Sequence, residues 1–343
     1  MKNKKIKLFF SVLLKTLAIL LAIIMLWLIF GRIAVPLPKS NSNYTCKRDF
    51  SLENAIESVP DEYFLEVDNS SEIEEIYYET AVTKKRAIIY LPPQYNEEKQ
   101  YDIIYFQGGA DSTEETYFGT PENPKPQFKN MLDNMIKNGK IKPIIAVCAN
   151  FYDKPRSETN FRELLRTYQT YEEEVRNCLV PAVEGEYSTF AKSTSEKDLI
   201  ESRSHRAFGG YSMGAGITWN MFISNLDYFY WFIPNCGGLQ NPYVPHLSTD
   251  IGKELNNAVE KNNYSKDDFF IYSVVGTLDI TYNSTRCLIN DLNKNYNENF
   301  VFTQDNTKNG NITFKKKNFK VHSFSNATTY FYNAIPAIFS NQE

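Results

Sequence analysis

Histidine is scarce in this chain. Only His205, His246 and His322 occur among 343 residues. Three scattered imidazoles without metal-ligand spacing argue against a zinc site, and they leave few candidates for a general base. Excess positive charge is also missing. Lys and Arg number 37 against 41 Asp and Glu, a formal net charge of -4, so there is no electrostatic footprint for nucleic acid. No internal repeat is present, which argues against a solenoid or propeller. Cysteine numbers five, an odd count. Cys148 and Cys178 sit inside apolar patterns as small buried hydrophobes, and no pairing can be assigned from spacing. No lipid-anchoring cysteine follows the first apolar run, and no small-x-small cleavage site follows it either.

That apolar run is the first thing present. Leu8–Phe30 is apolar except for Ser11, Lys15 and Thr16, and a basic Met1–Lys7 precedes it. A bilayer core needs roughly 20 mostly apolar residues, and lysines before the run favour a cytoplasmic N-terminus. The expectation is a single uncleaved transmembrane anchor within residues 1–35 with the rest exported; the alternative is a cleaved signal peptide. Residues 36–71 read as a polar tether with a short helix near Leu52–Ser58. Residues 72–343 form the main domain. Its 24 Phe and 23 Tyr supply core and cleft surface, and aromatic rings suit carbohydrate or phenolic ligands by stacking.

Within this domain, strand and helix patterns alternate, the signature of a doubly wound, mostly parallel α/β sheet. Glu74–Thr80 and Arg86–Leu91 read as a hairpin, Phe128–Lys137 as a helix and Ile141–Ala149 as a buried strand. Tyr168–Glu184 reads as a second helix, and Phe269–Val275 as a continuous apolar strand.

The segment Gly210-Tyr211-Ser212-Met213-Gly214 is Gly-x-Ser-x-Gly, the nucleophile elbow of α/β-hydrolases. A serine on a sharp strand-to-helix turn is strained, so the flanking positions must leave room for strand and helix to approach closely. Ala207, Phe208 and Tyr211 fit a short strand before it, and Ile217, Trp219, Met221 and Phe222 fit a helix after it. In this fold the acid and then the base follow the nucleophile along the chain. His205 precedes Ser212 and reads as structural. His246 lies in a Pro-rich loop, as a residue lining the site. His322, between a short strand and the last helix, is the expected base. Asp279 follows the Phe269–Val275 strand at its carboxyl end, where open α/β sheets gather their sites, and is the expected acid; Asp305 is the runner-up. Asp267 and Asp268 stand at the wrong end of that strand.

An oxyanion hole needs a second backbone donor besides the residue after the nucleophile. Met213 supplies the first. The apolar strand ending at Phe106 runs into Gln107-Gly108-Gly109, so the second is expected from Gly109 or Gly108. Phe229–Phe232, with Trp231, and the loop Asn235–His246, with Cys236, are candidates for shaping the acyl and sugar pockets. Gln107 is placed with them.

Together these residues resemble carbohydrate esterase family 1, the feruloyl and acetylxylan esterases. The matching segments are Tyr90-Leu91-Pro92-Pro93-Gln94-Tyr95, the strand and Gly-rich loop to Ala110, and Gly139–Pro143. They continue with Leu179–Glu184, His205–Gly214, Gly276-Thr277-Leu278-Asp279 and the His322 segment, collinear from about Ile73 to Phe339. The resemblance implies an α/β-hydrolase fold and Ser212, Asp279 and His322 as triad, with no cofactor. Members usually carry His-Gly where this chain has Gln107-Gly108, and many carry a second glycine at the position of Ala215. The implied activity is hydrolysis of acetyl or feruloyl esters on plant-type polysaccharide. The rivals are an esterase or acyltransferase acting on the cell's own envelope and a catalytically silent carbohydrate-binding protein.

Overall fold

The computed structural model describes residues 56–238, 251–303 and 309–340. The compact unit that contains them is Cys46–Glu343. The expected membrane span, His246 and Asp305 lie outside the described residues, and among the described residues no helix is long and apolar enough to cross a membrane.

The sheet starts as a hairpin, as the alternation of its sequence requires. Strand β1 (Glu72–Glu79) pairs antiparallel with β2 (Lys84–Leu91), Glu72 opposite Leu91 and Glu79 opposite Lys84. The turn is closed by Thr80, whose amide and hydroxyl both donate to the Thr83 carbonyl. Six short strands then build the parallel part: β3 (Asp102–Gln107), β4 (Ile144–Cys148), β5 (Arg206–Tyr211), β6 (Trp231–Asn235), β7 (Phe270–Gly276) and β8 (Ile312–Lys317), the last ending in three lysines. The order across the sheet is β1-β2-β4-β3-β5-β6-β7-β8, with only the β1–β2 and β2–β4 pairings antiparallel. Strands covered on both faces have no polar side to expose, and all seven residues of β7 are buried.

Helices cover both faces. One layer holds α1 (Pro126–Lys137), whose Phe128, Met131, Leu132 and Met135 are buried in the same core as Ile104, Phe106 and Ile233. The opposite layer starts with α2 (Phe161–Glu174), which runs through a π-helical turn at Val175–Leu179 into α3 (Val180–Glu186). The sequence predicts this helix only from Tyr168. Its true start carries a capping box, Asn160 with Glu163, in which each side chain accepts from the other residue's backbone N–H. The π-turn has a local cause in Pro181, which cannot donate within a helix, and the Val180 amide reaches back five residues to the Val175 carbonyl. Next come α4 (Glu196–Glu201), α5 (Met213–Asn225), α6 (Ile251–Lys261) and α7 (Tyr282–Asn295). The last, α8 (Phe324–Phe339), returns to the α1 layer, where Ala327, Tyr330 and Phe331 are buried.

Positions 56–58, part of an expected helix, are not helical; a 3-10 turn forms at Asp61–Phe64 instead. This part of the expected tether lies against the domain. Asn130 and Asn134 on α1 donate to the carbonyls of Phe64, Tyr63 and Leu65, and Ile56 is buried.

Two features of the sheet position its elbow strand, β5. From β3 the chain crosses to β4 on one side and later to β5 on the other, so β3 and β5 flank a topological switch point. Beneath β5, Arg206 and Glu184 form a wholly buried pair. Arg206 also donates to the carbonyls of Leu199 and Tyr228 and to Ser202 Oγ, and Tyr105 donates to Glu184. Each charge is thereby hydrogen-bonded, as burial demands.

Candidate active site

Strand β5 ends at Tyr211 and α5 begins at Met213, leaving Ser212 alone on the turn. Its backbone sits at φ 60°, ψ -118°, a region that a non-glycine residue occupies only when the surroundings force it. The two glycines make that turn possible. A Cβ on Gly210 would lie 2.1 Å from the Gly214 carbonyl oxygen, and one on Gly214 would lie 2.1 Å from the Gln107 carbonyl oxygen. The Ser212 amide donates to the Asn235 carbonyl at 3.2 Å, which ties the elbow to the end of β6.

His322 lies between β8 and α8, and its Nε2 is 2.8 Å from Ser212 Oγ. Its Nδ1 is 2.9 Å from each oxygen of Asp279. Tyr211 stacks on the imidazole, with ring centroids 4.8 Å apart. Asp279 lies in the loop after β7, its side chain buried. Thr281 donates to its Oδ1 twice, from the amide at 2.8 Å and from the hydroxyl at 2.6 Å. Burial pushes the Asp279 carboxyl up, but the hydrogen bonds from His322 and Thr281 outweigh it and hold it below its ordinary range. Acid, base and hydroxyl therefore form one connected line. A hydroxyl so placed can lose its proton to Nε2 while the carboxylate stabilises the imidazolium.

Gly109 lies against Ser212: a Cβ there would stand 3.2 Å from Ser212 Cβ. Met213 is the first residue of α5, where helix amides lack intrahelical partners. Neither amide donates to another group among the described residues. Gly108 is packed on Ser112, where a Cβ would be 2.2 Å from Ser112 Cβ.

Three residues placed at the substrate surface from the sequence stand elsewhere. The Gln107 side chain is buried, with Oε1 unpartnered among the described residues, and its carbonyl accepts from Tyr117. It is the last residue of β3, directly before the Gly108–Gly109 loop. Trp231 opens β6 instead of closing it, so it stands at the opposite end of the sheet, its indole N–H donating to the Ser204 carbonyl. Cys236 is wholly buried at φ 54°. Its Sγ lies within 4.8 Å of oxygen and nitrogen atoms of Asp279 and His322. Burial, and then the Asp279 charge, push its thiol well up, so it stays protonated beside Asp279. Such spacing could hold a metal ion, but the histidine nitrogens already face Asp279 and Ser212, which accounts for the closeness.

Sequence reasoning missed Thr281 and the stacking by Tyr211. The first had a signal, since Asp followed two residues on by Thr is a common side-chain-to-backbone turn. The second had none beyond adjacency to Ser212.

An apolar lip borders the site. Leu278 and Ile280 flank Asp279 and are 59% and 84% exposed; Phe319 and Val321 precede His322 and are 81% and 52% exposed. The two loops are joined, Leu278 N–H to the Lys320 carbonyl and Phe319 N–H to Thr277 Oγ1. Large apolar groups gathered in one exposed place mark an interaction surface.

Residues 80–285, more than half of the chain, match the Esterase family model, described as "Putative esterase". The chain is 30% identical over 292 residues to endo-1,4-β-xylanase Y of Acetivibrio thermocellus, covering 84% of this chain and 25% of that protein. It thus spans about a quarter of that relative's length. Among solved structures, the feruloyl esterase module from Clostridium thermocellum, complexed with sinapinate, superposes with a TM-score of 0.72 at 27% identity, covering 86% of this chain and 98% of the module. A ferulic acid esterase of carbohydrate esterase family 1 from the anaerobic fungus Anaeromyces mucronatus shares the fold, with a TM-score of 0.62 at 19% identity over 84% of this chain and 98% of its own. The chain belongs to the Esterase family and is a carboxylic ester hydrolase.

Proposed function

We propose that this chain is a serine esterase that hydrolyses aromatic acyl esters of the feruloyl type on plant polysaccharide. Ser212 is the nucleophile, His322 the base and Asp279 the residue that orients it. His322 Nε2 takes the Ser212 proton as Oγ adds to the ester carbonyl. The amides of Met213 and Gly109 hold the oxyanion, and collapse expels the sugar hydroxyl with the proton from His322. Water then adds to the acyl-enzyme with the same base, releasing the free acid and restoring Ser212.

The observation that carries this reading is the unbroken line Asp279–His322–Ser212, with 2.9 and 2.8 Å steps. The aromatic acyl group is supported by the apolar lip beside it and by the likeness to the feruloyl esterase module. The outer-face location rests on the basic-flanked apolar run Leu8–Phe30 and on Cys287 being disulfide-bonded, a state favoured in oxidising compartments.

The test is hydrolysis by the full chain and by Ser212→Ala of methyl ferulate, an aryl acetate and acetylated xylan. Methyl ferulate should be the preferred substrate, and the variant should lose activity by a factor on the order of 10⁴ to 10⁶. A preference for acetyl groups would overturn the aromatic assignment, and full activity in the variant would remove Ser212 as nucleophile.

A further inference from the structure

A cavity of about 440 Å³ lies at the end of the sheet opposite Ser212. Asp102 and Trp231, the first residues of β3 and β6, line it, whereas Ser212 follows the last residue of β5. A six-residue strand separates the two ends by about 20 Å, so the cavity shares no residue with the triad.

Its chemistry is defined. His205 Nδ1 is 2.6 Å from Asp102 Oδ1, which fixes the ring, and Phe190 stacks on that ring with centroids 3.5 Å apart at 11°. His205 Nε2 has no partner among the described residues, so it is available to a ligand. Lys99 and Lys142 line the same cavity and are exposed; neither ammonium has a carboxylate partner among the described residues. Asp102 is the only acid in the lining, and His205 already engages it. The indole N–H of Trp231 is committed to Ser204, so what Trp231 offers is its ring. On a chain of net charge -4, the cavity combines two unpaired cations, an oriented imidazole and aromatic surface.

We propose that this cavity binds a carboxylated sugar, a uronic acid unit of the polysaccharide that carries the ester. Aromatic rings take the C–H face of a sugar, the imidazole exchanges hydrogen bonds with its hydroxyls, and the ammonium groups pair with the carboxylate. Holding the polymer there raises the local concentration of its esters at the triad. The choice of ligand rests on the polysaccharide reading of the substrate.

The test is calorimetric binding to the full chain carrying Ser212→Ala, so no turnover intervenes. The probes are xylo-oligosaccharides substituted with glucuronic acid and the same oligosaccharides unsubstituted. The acidic probe should bind about tenfold more tightly, with a change in indole fluorescence that Trp231→Phe removes. Lys99→Glu with Lys142→Glu should bring it down to the neutral probe's affinity, with the thermal unfolding midpoint checking that this variant folds. Equal affinity for both probes, no binding of either, or acidic binding that survives the charge reversals would each overturn the proposal. Because binding is read without hydrolysis, failure of the feruloyl reading in the activity assay is a separate result.

Discussion

At the scale of single residues, the acid of the candidate triad receives more support than motif order reveals. Thr281 supplies two donors to Asp279 Oδ1, His322 Nδ1 lies 2.9 Å from both carboxylate oxygens, and the protonated Cys236 thiol lies within 4.8 Å of the carboxylate. Replacing Cys236 with Ala removes that neighbour without altering Ser212 or His322. kcat for ester hydrolysis should fall several-fold at unchanged KM, and Cys236→Ser should recover most of it, since a hydroxyl can again donate to the carboxylate. An Ala variant with wild-type kcat would assign Cys236 to packing alone.

The depressed Asp279 carboxyl also makes stability depend on pH. The fold holds this carboxyl below its unfolded value of about 3.9. It therefore contributes stability above that pH and loses it as pH falls toward the folded value. The gap in urea midpoint between wild type and Asp279→Asn should be widest near neutrality and narrow below about pH 4. A gap independent of pH would mean that the carboxylate is not selectively stabilised by the fold.

The candidate triad was legible because each member carries a local signal: the elbow for Ser212, the end of an apolar strand for Asp279, and the scarcity of histidine for His322. Cys236 and Gln107 were misread because their orientation is set by neighbours distant in sequence. The positive φ of Cys236 and the burial of Gln107 arise only when β6 and β3 are packed in place.

At the scale of elements, strand polarity decides which residues reach the site. An aromatic at either end of an apolar run looks the same in sequence. Trp231 opens its strand and so faces away from Ser212, while Asn235 closes it and binds the Ser212 amide. Helix boundaries were less legible. The α2 start was marked by Asn160 and Glu163, but the π-turn depends on Pro181 being tolerated in a helix that packing holds on both sides.

The Arg206–Glu184 pair anchors the root of the elbow strand. Glu184→Gln leaves an uncompensated guanidinium in the core, and losing one partner of a buried pair costs about 3–5 kcal/mol. Urea unfolding should register that loss, together with reduced esterase activity as β5 shifts. A loss below about 1 kcal/mol, the level of an exposed pair, would show that water reaches Arg206.

At the scale of the molecule, the fold brings four separated segments to one end of the sheet. The β3 loop brings Gly109, the β5 elbow brings Ser212 and Met213, and the β7 and β8 loops bring Asp279 and His322. The doubly wound pattern was readable from alternating strand and helix signals, because strands buried on both faces leave unbroken apolar runs. The strand order was not readable, since it depends on which side of β3 each crossover packs.

The measurement that tests this arrangement most directly is peptide mass spectrometry of the full chain after exposure to a fluorophosphonate. One adduct, on Ser212, is expected, with labelling lost in His322→Ala because the hydroxyl then has no base. Absence of an adduct from folded protein, or an adduct on another residue, would contradict the assignment of Ser212 as the activated nucleophile.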